Sequence, residues 1–166
     1  MNLIDCSYFY VGPLQVMNAR AIDDLDNNAA DVQECINSYI EWYQDEFLLK
    51  MVGKGVASVV TDYLSKCEAD DGYTDEKAEE LCSHLRMPFA HYVYFKLAGD
   101  VNQNMTVTGL VKIKSANENQ SPRQRMVKVW NDMVQLNKRF VEWAELSDYD
   151  VYYNVEMITQ INQYNI

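Results

Sequence analysis

Apolar residues recur at steps of three and four from Val32 through Ile36, Tyr39, Ile40, Tyr43, Phe47 and Leu48 to Met51. That period lays them along one stripe of a helix and excludes a strand, whose side chains alternate with a period of two. The spacing predicts a helix over residues 29–52, with Asn28 or Asp31 placed to cap its first turn. Gly53 is the natural stop, because glycine enters left-handed backbone without a Cβ clash. A second helix over 55–67 carries Val56, Val59, Val60, Tyr63 and Leu64, and the tight Gly53-Lys54-Gly55 junction implies a sharp corner between the two. Trp42 sits beside the first stripe and reads as a core or rim residue.

The same pattern continues downstream. Thr74 reads as the N-cap of a third helix, with Asp75 and Glu76 in its first turn, where carboxylates favour the positive helix end. Pro88 should kink or split that helix. Beyond it, Phe89, Tyr92, Val93, Tyr94, Phe95 and Leu97 are apolar on nearly all sides, the signature of a central helix. Gly99-Asp100 should end it. The last long helix opens with Ser121 as N-cap and Pro122 at the first position, and its stripe runs from Met126 to Ala144. Arg123, Arg125 and Lys128 place positive charge at the unfavourable end of the helix dipole, a hint that they answer to a partner.

Between these last two long helices, residues 100–120 form a long polar connection. Loops in helical domains usually span about two to eight residues, so a longer one is either disordered or functional. Alternation in Thr106-Val107-Thr108-Gly109-Leu110-Val111-Lys112-Ile113-Lys114 argues for an extended, β-like core instead of disorder. Such an edge offers unpaired backbone groups for strand addition, and Gly109 permits a bend or a close backbone approach. The expected fold class is therefore mainly α: a four-to-five-helix bundle with one long β-like loop or hairpin between the last two long helices. Residues 1–26 read as an N-terminal arm, in which Tyr8–Val11 is a short strand or an extended segment and Leu14–Leu25 holds a short helix. Residues 149–166 form a tail that is either a last short helix around Val155, Ile158 and Ile161 or an arm that docks on a neighbouring copy. The chain is expected to be one domain, with a helical core over 30–146.

Composition excludes several classes. With 166 residues and 48% hydrophobic content, the chain can bury a real core. No apolar run approaches the roughly 18 residues of a membrane span, and no basic segment precedes an apolar core at the N-terminus, so neither membrane insertion nor secretion is expected. Cys6, Cys35, Cys67 and Cys82 are scattered and read as reduced thiols. The net charge is −11 and uneven: residues 1–80 hold 5 Lys/Arg against 17 Asp/Glu, and residues 81–166 hold 9 against 8. An acidic end and a locally basic end suit head-to-tail contacts between copies. The overall sign speaks against a DNA-coating protein.

Catalytic patterns are missing from the sequence. His84 and His91 are two turns apart, too far for a helical zinc pair, and Cys82 points away from His84. There is neither a phosphate-binding glycine loop nor a nucleophile elbow. The acidic pairs Asp23-Asp24, Asp45-Glu46 and Asp70-Asp71 lie in polar segments with no sign of convergence. No enzymatic function, metal or cofactor is expected.

The assembled segments are IEWYQDEFLLKMVGKG, then HYVYFKLAGD, then the polar T-x-T-G-L-V-K stretch with SANENQS, then the last long helix. In order and texture they resemble the small helical head–tail connector (adaptor, neck-ring) proteins of tailed bacteriophages, in particular those of phages of Bacteroidota. The resemblance spans residues 30–146. It implies a structural virion protein at the head–tail junction, made in the host cytoplasm. Such a protein forms a ring homo-oligomer matching the twelvefold portal, touching the portal protein above and an adjacent neck or tail protein below. Genomic DNA passes through without sequence-specific binding. In that family the loop between the last two helices serves assembly. Carried onto this chain, the interface would comprise Thr106, Thr108, Gly109, Val111, Lys112 and Lys114, with Arg123 and Arg125 beside them. The competing expectation is a small acidic protein that mimics DNA and binds a DNA-binding partner.

Overall fold

A computed structural model describes residues 1–21, 27–103, 122–162 and 164. Among these residues there are three long helices and no strand. They are α1 (Asn27–Ala69), α2 (Glu76–Gln103) and α3 (Pro122–Ala144). The all-helical class is as expected, but the count of four to five helices is not met. The two helices anticipated over 29–52 and 55–67 join into α1 across a single non-helical residue, Gly53 (φ 75°, ψ 170°). The tail adds only a 3-10 turn, Val155–Ile158. Of the connection anticipated over 100–120, residues 100–103 are helical, and the rest, with its β-like core and the expected cap Ser121, lies outside the described residues.

The three helices run up, down and up. Along α1 and α2, Phe47 meets Phe89 (ring centroids 5.1 Å), Tyr43 meets Tyr92 (6.2 Å), and the Tyr39 hydroxyl donates to Asp100 (2.8 Å). Rising numbers on one helix meet falling numbers on the other, so the pair is antiparallel. Along α2 and α3 the same holds: Phe95 packs on Trp130 (4.8 Å) and His84 on Trp143 (4.4 Å). α2 is the central element, and every residue from Phe89 to Tyr94 on it is buried. Complete burial of side chains of this size contributes about 1.5–3 kcal/mol each.

Local expectations on α2 need three corrections. The helix is not split by Pro88, which lies inside it. An interior proline costs about 3 kcal/mol in isolation, and the apolar wall formed by Phe47, Trp130 and their neighbours on both sides offsets that loss. Nor does α2 stop at Gly99-Asp100; it continues to Gln103. Gly99 serves packing instead: a Cβ there would stand 3.3 Å from the Met126 methyl of α3. The cap is Asp75, not Thr74, since the Asp75 carboxylate accepts from the Ala78 amide (3.2 Å). On α1, Asn28 and Asp31 already lie inside the helix.

The described residues of both terminal segments pack on the helices. The first segment makes a 3-10 turn, Cys6–Phe9, capped by Asp5, and not a strand. Residues 14–21 form turns and bends, not helix, and the rest of the short helix expected over Leu14–Leu25 lies outside the described residues. Leu3, Ile4, Phe9, Leu14, Val16 and Ala19 are nonetheless buried in the same core as the helices. Gln44 and Gln33 of α1 bond Leu3 N (2.6 Å) and Ala19 O (2.8 Å), and Arg125 of α3 bonds Pro13 O (2.9 Å). The arm therefore ties α1 to α3 across α2.

Candidate assembly surface

The tail makes the second tie, and Gly53 is its anchor. A helical segment that ends leaves its last carbonyls without intrahelical donors. The tail supplies two: Asn154 N donates to Lys50 O (2.7 Å) and Tyr152 N to Val52 O (3.3 Å). A Cβ at Gly53 would stand 3.0 Å from Tyr152 O and 3.1 Å from its Cβ. On α3, Trp130 Nε1 donates to Thr159 O (2.9 Å) and Asn137 Nδ2 to Met157 O (2.7 Å). Asn131 makes a reciprocal pair with Ile161, donating to its carbonyl (3.0 Å) and accepting from its amide (2.9 Å). Met157 is fully buried. Of the two alternatives for the tail, the chain uses its own helices as the dock.

A polar cluster reinforces the same corner. The Glu46 carboxylate receives the Tyr92 hydroxyl (2.7 Å) and Lys50 (2.8 Å), with Lys96 at 3.5 Å. Lys50 also reaches Glu156 of the tail (3.7 Å), and Lys96 lies over the rings of Tyr43 and Tyr92. Burial pushes the Glu46 carboxyl up, but the hydrogen bonds from Lys50 and Tyr92 and the charge of Lys96 outweigh it and hold the group below its usual range. Burial, followed by the bond to Glu46, raises the Tyr92 phenol far above its ordinary value. At the other end, Arg86 grips Glu79 with two parallel bonds (2.7 and 2.9 Å), while Tyr63 donates to the same carboxylate (3.1 Å). The Arg86 bond is the main cause that lowers the Glu79 carboxyl.

The expected assembly residues divide into two groups. Thr106, Thr108, Gly109, Val111, Lys112 and Lys114 lie outside the described residues. Arg123 and Arg125 stand in the first turn of α3. Arg123 is exposed. Arg125 turns inward, bonded to Pro13 O and seated over the Tyr94 ring at 5.3 Å. Lys128 pairs with Asp132 one turn on (2.5 Å). The positive charge at the start of α3 is thus partly answered within the chain.

The histidines have ordinary neighbours. His84 stacks on Trp143, and His91 is buried with Nδ1 on Met87 O (2.8 Å). Burial lowers the His91 pKa from its usual value. Cys82 is buried and its thiol is pushed up to about 12 by that burial. The four cysteines are free thiols. Among the described residues, no three His, Cys, Asp or Glu side chains converge to hold a metal ion, and no helix is long and apolar enough to cross a membrane.

Trp42 is neither core nor rim. Its indole is 81% exposed on the outer face of α1, and Leu49, two turns on, is 53% exposed. Sequence reasoning missed this because the residue lies just off the buried stripe, where periodicity alone does not tell rim from open surface. It also missed the Gly53–tail junction, whose one visible signal was the glycine itself. The Glu46–Lys50 spacing was the corresponding signal for the polar cluster. No known protein family, no curated protein and no solved structure matches this chain.

Proposed function

We propose that this chain is a structural subunit of a phage neck: a head–tail connector that assembles into a ring below the portal and lets DNA pass. The observation that carries the reading is the geometry at the base of segment 104–121. Gly99 and Met126 bring the end of α2 against the start of α3, so the segment leaves and re-enters the bundle at one end. A long connection between the adjacent ends of two helices, on a scaffold braced by two ties, suits a part that contacts a neighbour while its support stays rigid. Thr106, Thr108, Gly109, Val111, Lys112 and Lys114 would make that contact, with Arg123 at its root. Its neighbours would be further copies in the ring, the portal and an adjacent neck or tail protein.

Cryo-electron microscopy of the tailed particle that carries this chain tests the reading. A ring of copies at the head–tail junction, with 104–121 bridging to a neighbour, is the expected result. Absence of the chain from purified particles overturns it. One observation favours the alternative of an acidic protein that occupies a DNA-binding partner: between Arg20 and Lys50 there are eight Asp/Glu and no Lys or Arg. Salt-sensitive 1:1 binding to a DNA-binding enzyme, displaced by duplex DNA, would establish that function instead.

A further inference from the structure

The tail is held on α1 along one side only. The amides of Tyr152 and Asn154 turn to the carbonyls of Val52 and Lys50. The Tyr152 carbonyl turns the same way and lies beside Gly53. In an extended chain, alternate residues present their main-chain groups to opposite sides, and Asn154 is extended (φ −75°, ψ 132°). Val151 and Tyr153 therefore turn their main-chain groups away from α1. Among the described residues, neither the N–H nor the C=O of either one has a hydrogen-bond partner. The segment is open to solvent, with Tyr152 71% exposed.

Free groups in this order select an extended strand as partner, because another main chain offers donors and acceptors at the same spacing. The edge is its own complement. About a two-fold axis through Tyr152, Val151 of one copy lies opposite Tyr153 of the other, and each such pair exchanges two N–H···O bonds. Every free group of Val151 and Tyr153 in both copies is then used. The side chains agree with this register. Valine opposite tyrosine is a favoured cross-strand pair, and Tyr152 meets its own symmetry mate. Asp150 falls opposite Asn154, whose side-chain oxygen is taken by the Glu156 amide (3.0 Å) and whose side-chain NH2 remains to donate. No like charges stand opposite one another within 150–154. Just beyond, Asp148 and Glu156 are each paired with a lysine of their own copy, Lys77 and Lys50.

We infer that residues 150–154 are a docking edge for the same segment of a second copy, joined antiparallel about a two-fold axis at Tyr152. Such a pair closes on itself, whereas a ring needs head-to-tail contacts. The inference therefore goes beyond the ring-subunit reading and does not depend on it.

The test uses the full chain in sedimentation velocity across a concentration series, with Tyr153→Pro and Tyr153→Ala. Proline removes the outward amide and tolerates extended backbone, leaving the inward bonds of Tyr152 and Asn154 in place; alanine keeps the amide. Circular dichroism checks that both are folded. Wild-type chain should dimerise, and Tyr153→Pro should weaken the dimer at least about tenfold relative to Tyr153→Ala, since each dimer loses two hydrogen bonds. Tyr152→Cys reports the axis. Cα atoms of a non-hydrogen-bonded antiparallel pair lie about 4.5 Å apart, within disulfide range. Air oxidation should give a dimer whose peptide map shows residue 152 joined to residue 152, distinct from links through Cys6, Cys35 or Cys67. Leu146→Cys, 91% exposed but outside the edge, should stay unlinked. A wild-type chain that stays monomeric at its solubility limit overturns the inference, as do a proline variant that associates like the alanine one and a Leu146→Cys chain that links as fast as Tyr152→Cys. Association lost in Tyr153→Pro with no 152-to-152 link would mean that a different strand adds to the edge, and overturns the two-fold pair. Absence of the chain from phage particles, with the 152 link intact, would overturn the connector reading and leave this contact standing.

Discussion

Replacing Gly53 with alanine should release the tail. At φ 75° and ψ 170° the residue occupies a region that is essentially glycine's alone, and a side chain there costs about 1–3 kcal/mol. The new methyl would also press on Tyr152, at 3.0 and 3.1 Å from its carbonyl oxygen and Cβ. If the tail yields, the bonds from Tyr152 and Asn154 to the carbonyls of Val52 and Lys50 go with it, about 0.5–1.5 kcal/mol each. If α1 instead straightens through residue 53, those carbonyls return to the helical ladder and the tail loses its dock all the same. The combined loss is about 3–5 kcal/mol, a large share of a typical stability of about 5–15 kcal/mol. Thermal unfolding followed by circular dichroism should show a drop on the order of 10 °C. Hydrogen exchange should show protection lost at Asn154, Met157 and Ile161. Gly55 provides the control. A Cβ there meets nothing within 4 Å and its φ is not positive, so Gly55→Ala should stabilise α1 by about 0.5–1 kcal/mol. If Gly53→Ala proves as stable as Gly55→Ala, with the tail still protected, the docking argument is wrong.

Three further outcomes follow from the polar contacts. Glu46→Gln should cost about 1–2 kcal/mol in urea unfolding, discounted because about a third of that side chain meets solvent. The folded Glu46 pKa lies below its unfolded value, so its stabilisation is full above about pH 4.3 and is lost as pH falls through the folded value. The gap between wild type and variant should therefore close in acid, and a gap constant with pH would count against the ion cluster. His91 is also depressed, but as a base: the unfolded chain takes up the proton first, so stability declines as pH falls below about 6.5. Asp132 and Lys128 are the charges that face it, and His91→Gln should flatten the melting temperature between about pH 7 and pH 5; an unchanged slope would assign it to another group. Asn131→Ala removes both bonds to Ile161 and should expose the tail to limited proteolysis beyond Thr159 while α1 to α3 stay protected.

The helical scaffold was legible in the sequence because its information is local. The stripe from Val32 to Met51, the apolar run after Pro88 and the periodic residues of 122–144 each declare a helix within a few turns. Gly53 was legible as an interruption for the same reason. The ends were not. Tyr8–Val11 and residues 14–21 have mixed patterns, and their structure is set by burial of Phe9 and Leu14 against helices far away in the chain. Gly99 misled because it has the composition of a stop but the role of a spacer: what fixes it is Met126, on a different helix. Trp42 misled in the opposite direction, since its residue type favours the interior while its position on α1 faces out.

These failures bear on how the molecule would assemble. An arm and a tail of this composition could have served as exchange elements between copies. Here Asn131, Asn137 and Trp130 hold the tail, while Gln33, Gln44 and Arg125 hold the arm, so both segments are docked on the chain's own helices. That makes Gly53→Ala and Asn131→Ala separable probes of the tail's dock: the first acts on the α1 side, where Tyr152 and Asn154 bond Val52 and Lys50, and the second on the α3 side, where Asn131 holds Ile161. Loss of protection along the whole tail in both variants would mean that the two sides hold it cooperatively; loss confined to the end nearest each substitution would mean that they act independently.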